Sequence, residues 1–133
     1  EGTTQLQTVA AIRYITSGFY ANVIKDYEAE PVAAEYESYA VRIKDMADKL
    51  AYCTNKAKEA NNQDFLDLCS RKLYEMTAYT IMCHLLLQDT QRAPELFGKS
   101  LVVFMNYAES EVAKHFNYVL KLDVDQLASY VQE

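Results

Sequence analysis

Residues Phe65–Leu87, FLDLCSRKLYEMTAYTIMCHLLL, decide the fold of this 133-residue chain. Apolar residues recur there at steps of three and four, the spacing that places side chains on one face of an α-helix. The second half, Met76–Leu87, is nonpolar on nearly every side, which is typical of a helix in the middle of a helical protein. The sequence therefore predicts a central helix with amphipathic helices around it.

The stretches on either side have the same periodicity. A first helix is predicted from about residue 4 to residue 24, and a second from Val32 to about Asn61. Asn61-Asn62 breaks the pattern before the central helix, Gln91–Pro94 breaks it after, and a fourth helix and a short fifth one, about Val124–Val131, follow. Short connections between long helices favour antiparallel neighbours. We therefore predict an all-α, up-and-down helical bundle of four to five helices.

The first four predicted helices each have a predicted buried face. These faces are Val9, Ile12, Thr16, Phe19, Tyr20 and Val23; Val32, Tyr36, Tyr39, Ile43, Met46, Leu50, Cys53 and Ala57; Phe65, Leu68, Cys69, Leu73, Met76, Tyr79, Thr80, Cys83 and Leu87; and Phe97, Leu101, Phe104, Ala108, Val112, His115 and Val119. In the first helix we expect Ile12, Ile15 and Phe19 either to pack on the bundle or to drive self-association through an exposed patch.

A boundary is predicted within Lys25–Pro31. Glu30 precedes Pro31, and a residue before proline is disfavoured in helix, whereas the proline itself suits the first turn of a new helix. This stretch is the only plausible linker in the pattern, and it separates residues 1–24 from residues 25–133.

The amino-acid composition excludes several classes of function. The net charge of −6 and the lack of a basic run argue against nucleic acid, and a membrane surface would favour a basic helix face, so membrane contact is not expected. No apolar run approaches the ~20 residues that cross a bilayer. The chain has an odd number of cysteines, Cys53, Cys69 and Cys83, and their spacing does not suit metal ligands. This pattern predicts reduced core residues in a cytoplasmic protein.

No reactive constellation stands out in the helices. The Glu-x-x-His pairs of a carboxylate-bridged metal site are missing, so no metal is predicted. His84 lies beside Cys83, and His115 follows Glu111 by four residues, which predicts a Glu111–His115 pair and structural roles for both histidines. The eleven tyrosines mostly fall on the apolar stripes, where they act as large hydrophobes, although a stacking platform is an alternative.

The first seven residues carry a resemblance. Glu1–Gln7, EGTTQLQ, followed directly by a helix, resembles the segment Tyr-Glu-Gly-Thr-x-Gln-Ile-Gln near the C-terminus of flavin-dependent acyl-CoA dehydrogenases. Tyr74–Gln91 is similar to a helix in the C-terminal extension of longer bacterial members of that family. On this resemblance the chain is interpreted as a C-terminal part of such an oxidoreductase of fatty acid oxidation.

The resemblance implies roles for four residues. Glu1 would be the catalytic base that removes the α-proton of an acyl-CoA thioester, while the β-hydrogen leaves as hydride to FAD. Gly2, Thr3 and Gln5 would lie where that segment passes the FAD. Implied partners are the acyl-CoA substrate, an electron-transfer flavoprotein and further copies of the chain in a homo-oligomer.

The resemblance also implies a division of the chain. Residues 1–24 would be the last helix of the catalytic domain and residues 25–133 an appended helical bundle, with the flavin and substrate pockets built mostly by earlier parts of the protein. The fragment alone would then be inactive. Two other classes stay open: a non-catalytic interaction or oligomerisation module, and a carrier with a pocket between helices, which needs no sequence signature.

Overall fold

The structure, a computed structural model, describes residues 11–131 and the side chains as far as residue 127. All regular structure in that part of the chain is helical, so the predicted all-α bundle is confirmed. The elements are α1 (helical over residues 11–16), α2 (Phe19–Glu28), a 3₁₀ turn (Ala34–Tyr36), α3 (Glu37–Glu59), α4 (Gln63–Arg92), α5 (Pro94–Lys121) and α6 (Val124–Val131).

Three long helices form the body of the fold. Helices α3, α4 and α5 pack on one another, and α2 packs on α3 and α4. The up-and-down order makes α3 parallel to α5: Arg42 of α3 bonds to Glu109 of α5, and further along both helices the Nζ of Lys56 donates to the carbonyl oxygen of Val119 at 2.8 Å. Helix α4 runs antiparallel to both, which is the predicted arrangement.

The core lies where these helices meet. Its buried apolar residues are Ile15, Ile24, Ile43, Met46, Leu50, Cys53, Ala57, Phe65, Cys69, Leu73, Met76, Cys83, Leu87, Leu101, Met105, Ala108, Val112 and Val119. The α3 stripe from Ile43 to Ala57 is buried as predicted, because a regular 3.6-residue repeat keeps one face on the core. In contrast, Leu68 and Phe19, predicted to be buried, are 39% and 53% exposed.

The centre of the bundle is less enclosed than the sequence predicts. Helix α4 does contact α2, α3 and α5, as expected of a central helix. However, Met82 and Leu85 are exposed, because three neighbours leave one side of α4 open to solvent.

The predicted first helix is interrupted. Ser17 and Gly18 form a turn, and Gly18 has φ +92°, a left-handed conformation that glycine adopts without the steric penalty of a side chain. Helix α2 then continues to Glu28, so the predicted linker Lys25–Pro31 began too early. Of the three residues expected either to pack on the bundle or to drive self-association, Ile15 is buried and Ile12 packs against the core, whereas Phe19 is 53% exposed.

The other connections are short. Asn61 adopts a left-handed φ of +46° after α3, and the side chain of Asn62 then accepts a hydrogen bond from the backbone N–H of Phe65 at 3.0 Å, capping α4. Between α4 and α5 only Ala93 is non-helical, so the predicted turn Gln91–Pro94 is wider than the observed one. Pro94 occupies the first turn of α5, where its missing N–H costs nothing.

Candidate functional site

The residues that the sequence marks for catalysis and cofactor binding lie outside the described part of the chain. Glu1, Gly2, Thr3 and Gln5 all precede residue 11, so their roles stay predictions.

The two histidines have different surroundings. The Nε2 of His115 in α5 lies 2.7 Å from a carboxylate oxygen of Glu75 in α4, and the other Glu75 oxygen accepts from the Nε of Arg71 at 3.2 Å. The predicted Glu111–His115 pair is wrong, because Glu111 instead pairs with Lys114 at 2.8 Å. His115 therefore bonds to Glu75 of the neighbouring helix rather than to Glu111 of its own helix, and this contact joins α4 to α5.

A second polar contact joins α3 to α5. The guanidinium of Arg42 bonds to one carboxylate oxygen of Glu109 through Nε, at 3.0 Å, and through Nη2, which also donates to the side-chain oxygen of Asn106 at 3.0 Å. Charge-assisted hydrogen bonds of this kind orient neighbouring helices. Both donors reach the same oxygen of Glu109, and the pair lies at a partly exposed position on the helix interface rather than in one of the clefts.

The cysteines are buried and reduced, as predicted. Burial raises the pKa of the Cys53 and Cys83 thiols to about 12 and that of Cys69 in the same direction. The thiolate is the reactive form of cysteine, and these groups stay protonated at neutral pH. They are core residues rather than nucleophiles.

The described residues contain neither a candidate metal site nor a candidate membrane-spanning helix. Within residues 11–131, no group of three His, Cys, Asp or Glu side chains could hold a metal ion. Over the same part of the chain, no helix is both long enough and apolar enough to cross a bilayer.

A cleft lies between α4 and the segment that joins α2 to α3. It has a volume of about 380 Å³, and its lining residues include Tyr27, Pro31, Val32, Val41, His84, Leu87 and Gln88. His84 is 6% exposed, its ring stacks on Tyr27 with centroids 5.6 Å apart, and its Nε2 has no hydrogen-bond partner. Burial lowers the pKa of this imidazole, so the ring is neutral at pH 7.

The connecting segment is fixed over this cleft. The backbone N–H of Ala33 donates to the side-chain oxygen of Gln91 at 3.0 Å, which ties the segment to α4. At the rim, Lys44 lies 4.0 Å from Glu28 and 2.8 Å from Asp48. The sequence predicts a structural role for His84 but does not predict the cleft, because no local signal shows which segment covers an apolar helix.

A smaller groove of about 200 Å³ runs between α2 and α3. Small residues line it, including Gly18, Ala21, Ala47 and Ala51, and Thr77 of α4 also reaches it. The hydroxyl of Thr77 donates to the carbonyl oxygen of Leu73, so its hydrogen-bonding capacity is used within α4. The groove also has exposed polar lining residues, including Lys25, Asn55 and Lys58.

An aromatic cluster covers the seam between α4 and α5. Tyr79, Phe104 and Tyr107 lie with ring centroids 5.7 to 6.4 Å apart, and Val103 beside them is 69% exposed. We call Tyr79, Val103, Phe104 and Tyr107 the seam patch. Exposed apolar groups in contact with one another are typical of interaction surfaces.

Comparison with known proteins gives the family setting. Residues 16–127 match the protein family described as acyl-CoA dehydrogenase C terminal. The fold is similar to the crystal structure of the acyl-CoA dehydrogenase family protein from Porphyromonas gingivalis, with a TM-score of 0.78 and 30% sequence identity over 86% of this chain and 98% of that chain. No curated protein sequence matches the chain.

Proposed function

The chain belongs to the acyl-CoA dehydrogenase C-terminal family, and from that premise we propose that it is the C-terminal part of a flavin-dependent acyl-CoA dehydrogenase. The observation that carries the proposal is the family match over residues 16–127. It lies C-terminal to the segment Glu1–Gln7, which resembles the base-bearing segment of these enzymes. The parent enzyme would convert a fatty acyl-CoA to the enoyl-CoA.

The proposed chemistry assigns one role to Glu1. Its carboxylate would take the α-proton of the thioester, and the electron pair of that C–H bond would form the new double bond, while FAD, when bound, would supply the acceptor for the β-hydrogen and its electron pair. A carboxylate can act as this base when hydrogen-bond donors polarise the thioester carbonyl and so acidify the α-proton. Gly2, Thr3 and Gln5 would contact the FAD, and an electron-transfer flavoprotein would reoxidise it.

The bundle would serve this enzyme as a structural part. Its polar contacts between helices, such as Arg42 with Glu109 and His115 with Glu75, join helices to one another. None of these groups faces a cavity as a free acid or base in the part of the chain that the structure describes. We therefore propose that the fragment alone is inactive and that the flavin pocket needs the preceding parts of the parent.

A second candidate function is an interaction or oligomerisation module. The seam patch favours it, because Val103 and Tyr107 are 69% and 52% exposed on a helix whose other side is fully buried. The two functions are compatible if the bundle holds subunits of the dehydrogenase together as a homo-oligomer.

The test uses the full-length parent purified with its cofactor. Its visible flavin spectrum is recorded, and acyl-CoAs of increasing chain length are added without oxygen to the wild type, Glu1→Gln and the control Glu30→Gln. Glu30 is an exposed carboxylate in the same chain, so its substitution controls for the loss of one negative charge.

We expect one chain-length class to bleach the flavin of the wild type and of Glu30→Gln but not of Glu1→Gln. If no flavin is bound, the dehydrogenase proposal fails. If Glu1→Gln still bleaches, the base is another residue and the assignment of Glu1 fails.

A further inference from the structure

One side of the α4–α5 hairpin has an uncharged middle that is open to solvent. The stretches Met76–Gln88 in α4 and Ser100–Ala108 in α5 contain no Asp, Glu, Lys or Arg. On this side Met82, next to the seam patch, is 47% exposed, and Val103 is 69% exposed. Met82 and Leu86 follow Tyr79 at helical spacing, on the same side of α4. We call the seam patch together with Met82 and Leu86 the hairpin face.

The hairpin brings the two uncharged stretches to the same level. Tyr79 and Tyr107 stand equally far before and after Ala93 in the chain, and their ring centroids are 5.7 Å apart. By the same relation Met82 is level with Val103. Helices α4 and α5 have 30 and 28 residues, so this side of the molecule is about 42 Å long and about 20 Å wide. Its area of about 800 Å² is what one partner contributes to an interface of standard size.

The charge distribution favours a second copy of the chain as the partner. The chain has a net charge of −6, so most of its surfaces repel another copy, whereas residues 71–114 carry equal numbers of acidic and basic residues. Beside the hairpin face, Asp89 lies two turns after Met82 and Lys99 one turn before Val103. Neither of these charged side chains has an ion pair within the part of the chain that the structure describes. Both are available to a second copy.

The other end of the hairpin is already neutralised. Glu75 pairs with Arg71 at 3.2 Å and Glu111 with Lys114 at 2.8 Å, in each case within one helix. Asp89 and Lys99 therefore decide which arrangement of two copies is favoured.

Two arrangements bring the hairpin faces together. A two-fold axis parallel to the helices places α4 of one copy on α5 of the other and keeps equal levels opposite, so Asp89 of each copy lies near Lys99 of the other. An axis perpendicular to the helices and centred on Met82 places α4 on α4. Asp89 would then face Glu75 of the second copy and stay without a cationic partner. The parallel axis is therefore favoured.

We propose that the hairpin face joins two copies of the chain about the parallel axis, so that α4 and α5 of both copies form a four-helix bundle. This inference deepens the oligomerisation role proposed above and rests on it.

Sedimentation equilibrium on the 133-residue chain tests the interface. Val103→Asp places a carboxylate from each copy in the middle of the contact. Val41→Asp is the matched control, because Val41 is also 69% exposed and lies on α3, away from the hairpin face. We expect the wild type and Val41→Asp to dimerise with dissociation constants below about 1 mM, and Val103→Asp to raise the constant at least about tenfold.

A mixing experiment tests the arrangement of the helices. Met82→Lys alone should weaken the dimer as Val103→Asp does. The parallel axis places residue 82 of one copy opposite residue 103 of the other, so the introduced amine and carboxylate meet only in a mixed dimer. An equal mixture of the two variants should therefore dimerise with a dissociation constant within about threefold of the wild-type value. Recovery of the dimer also shows that both variants fold.

Three results would overturn the proposal in distinguishable ways. A wild type that stays monomeric up to about 1 mM refutes both the interface and the oligomerisation role of the chain. A dimer that Val103→Asp leaves intact refutes the hairpin face as its interface but keeps the oligomerisation role. Weakening by both variants without recovery in the mixture refutes the parallel axis. The dehydrogenase proposal is tested separately, by the bleaching of the flavin.

Discussion

Replacement of Leu73 by alanine tests the position of α4 at the centre of the bundle. Leu73 is fully buried, and its change to alanine removes three carbon atoms from the core. At about 0.8 kcal/mol for each buried methylene, the lost transfer free energy is about 2.4 kcal/mol, and the cavity left behind raises the cost to about 3–4 kcal/mol. For a domain of this length the midpoint of thermal unfolding should fall by about 10–15 °C.

The same helix supplies a matched control. Leu68 lies five residues earlier and is 39% exposed. Its change to alanine removes the same atoms but leaves no closed cavity, so we expect a cost of about 1 kcal/mol or less. Urea titration followed by circular dichroism at 222 nm measures both variants. Equal costs for the two substitutions, within about 0.5 kcal/mol, would refute the placement of Leu73 in the core and Leu68 on the surface.

Three further outcomes are expected from the same urea assay. Burial lowers the pKa of His84 below 6.5, so the unfolded chain binds this proton more readily than the folded chain does. The free energy of unfolding should therefore decrease as the pH falls below 6.5, by at most about 1.4 kcal/mol per pH unit. His84→Leu should lack this decrease, and a difference between the two proteins that is confined to pH values above 6.5 would contradict the reasoning. Asn62→Ala should lower the free energy of unfolding by about 1 kcal/mol because the cap on the N–H of Phe65 is lost. Asn62→Asp should keep most of the stability, and the control Asn55→Ala, at an exposed position in the middle of a helix, should cost nothing. Equal effects at both asparagines would argue against the cap. Asn61→Gly should be neutral or stabilising and Asn61→Ala should be destabilising by about 1 kcal/mol, because the backbone at this residue is left-handed. The reverse order of stability would contradict a left-handed backbone at residue 61.

Much of the fold could be predicted because periodicity is a local property. The five apolar positions from Ile43 to Ala57 follow one helical repeat, and all five are buried. Asn62 marks a helix start through its own chemistry, and its side chain caps α4 where the sequence indicates a break. Element boundaries of this kind depend on neighbouring residues alone.

The errors arise where tertiary contacts decide. Gly18 was included in a continuous helix because one glycine costs only about 1 kcal/mol there, an amount that packing on either side of a bend can offset. His115 pairs with Glu75, forty residues away in sequence, and no spacing rule identifies such a partner. The cleft over His84 is likewise formed by two segments that are distant in the chain.

The proposed catalytic segment is a different case. Glu1, Gly2, Thr3 and Gln5 were selected by resemblance to a family segment, and the family match of residues 16–127 supports the setting but not their individual roles. Their assignment stays a prediction for the flavin experiment.

The single-residue connection at Ala93 has a consequence for the order of folding. Helices α4 and α5 are the two longest in the described chain, and with one residue between them their pairing closes almost no loop. Contacts close in sequence form fastest, because little chain entropy is lost before they form. We therefore expect this hairpin to be structured in the folding transition state. During synthesis α3 leaves the ribosome earlier, and its apolar face should stay uncovered until the hairpin has emerged.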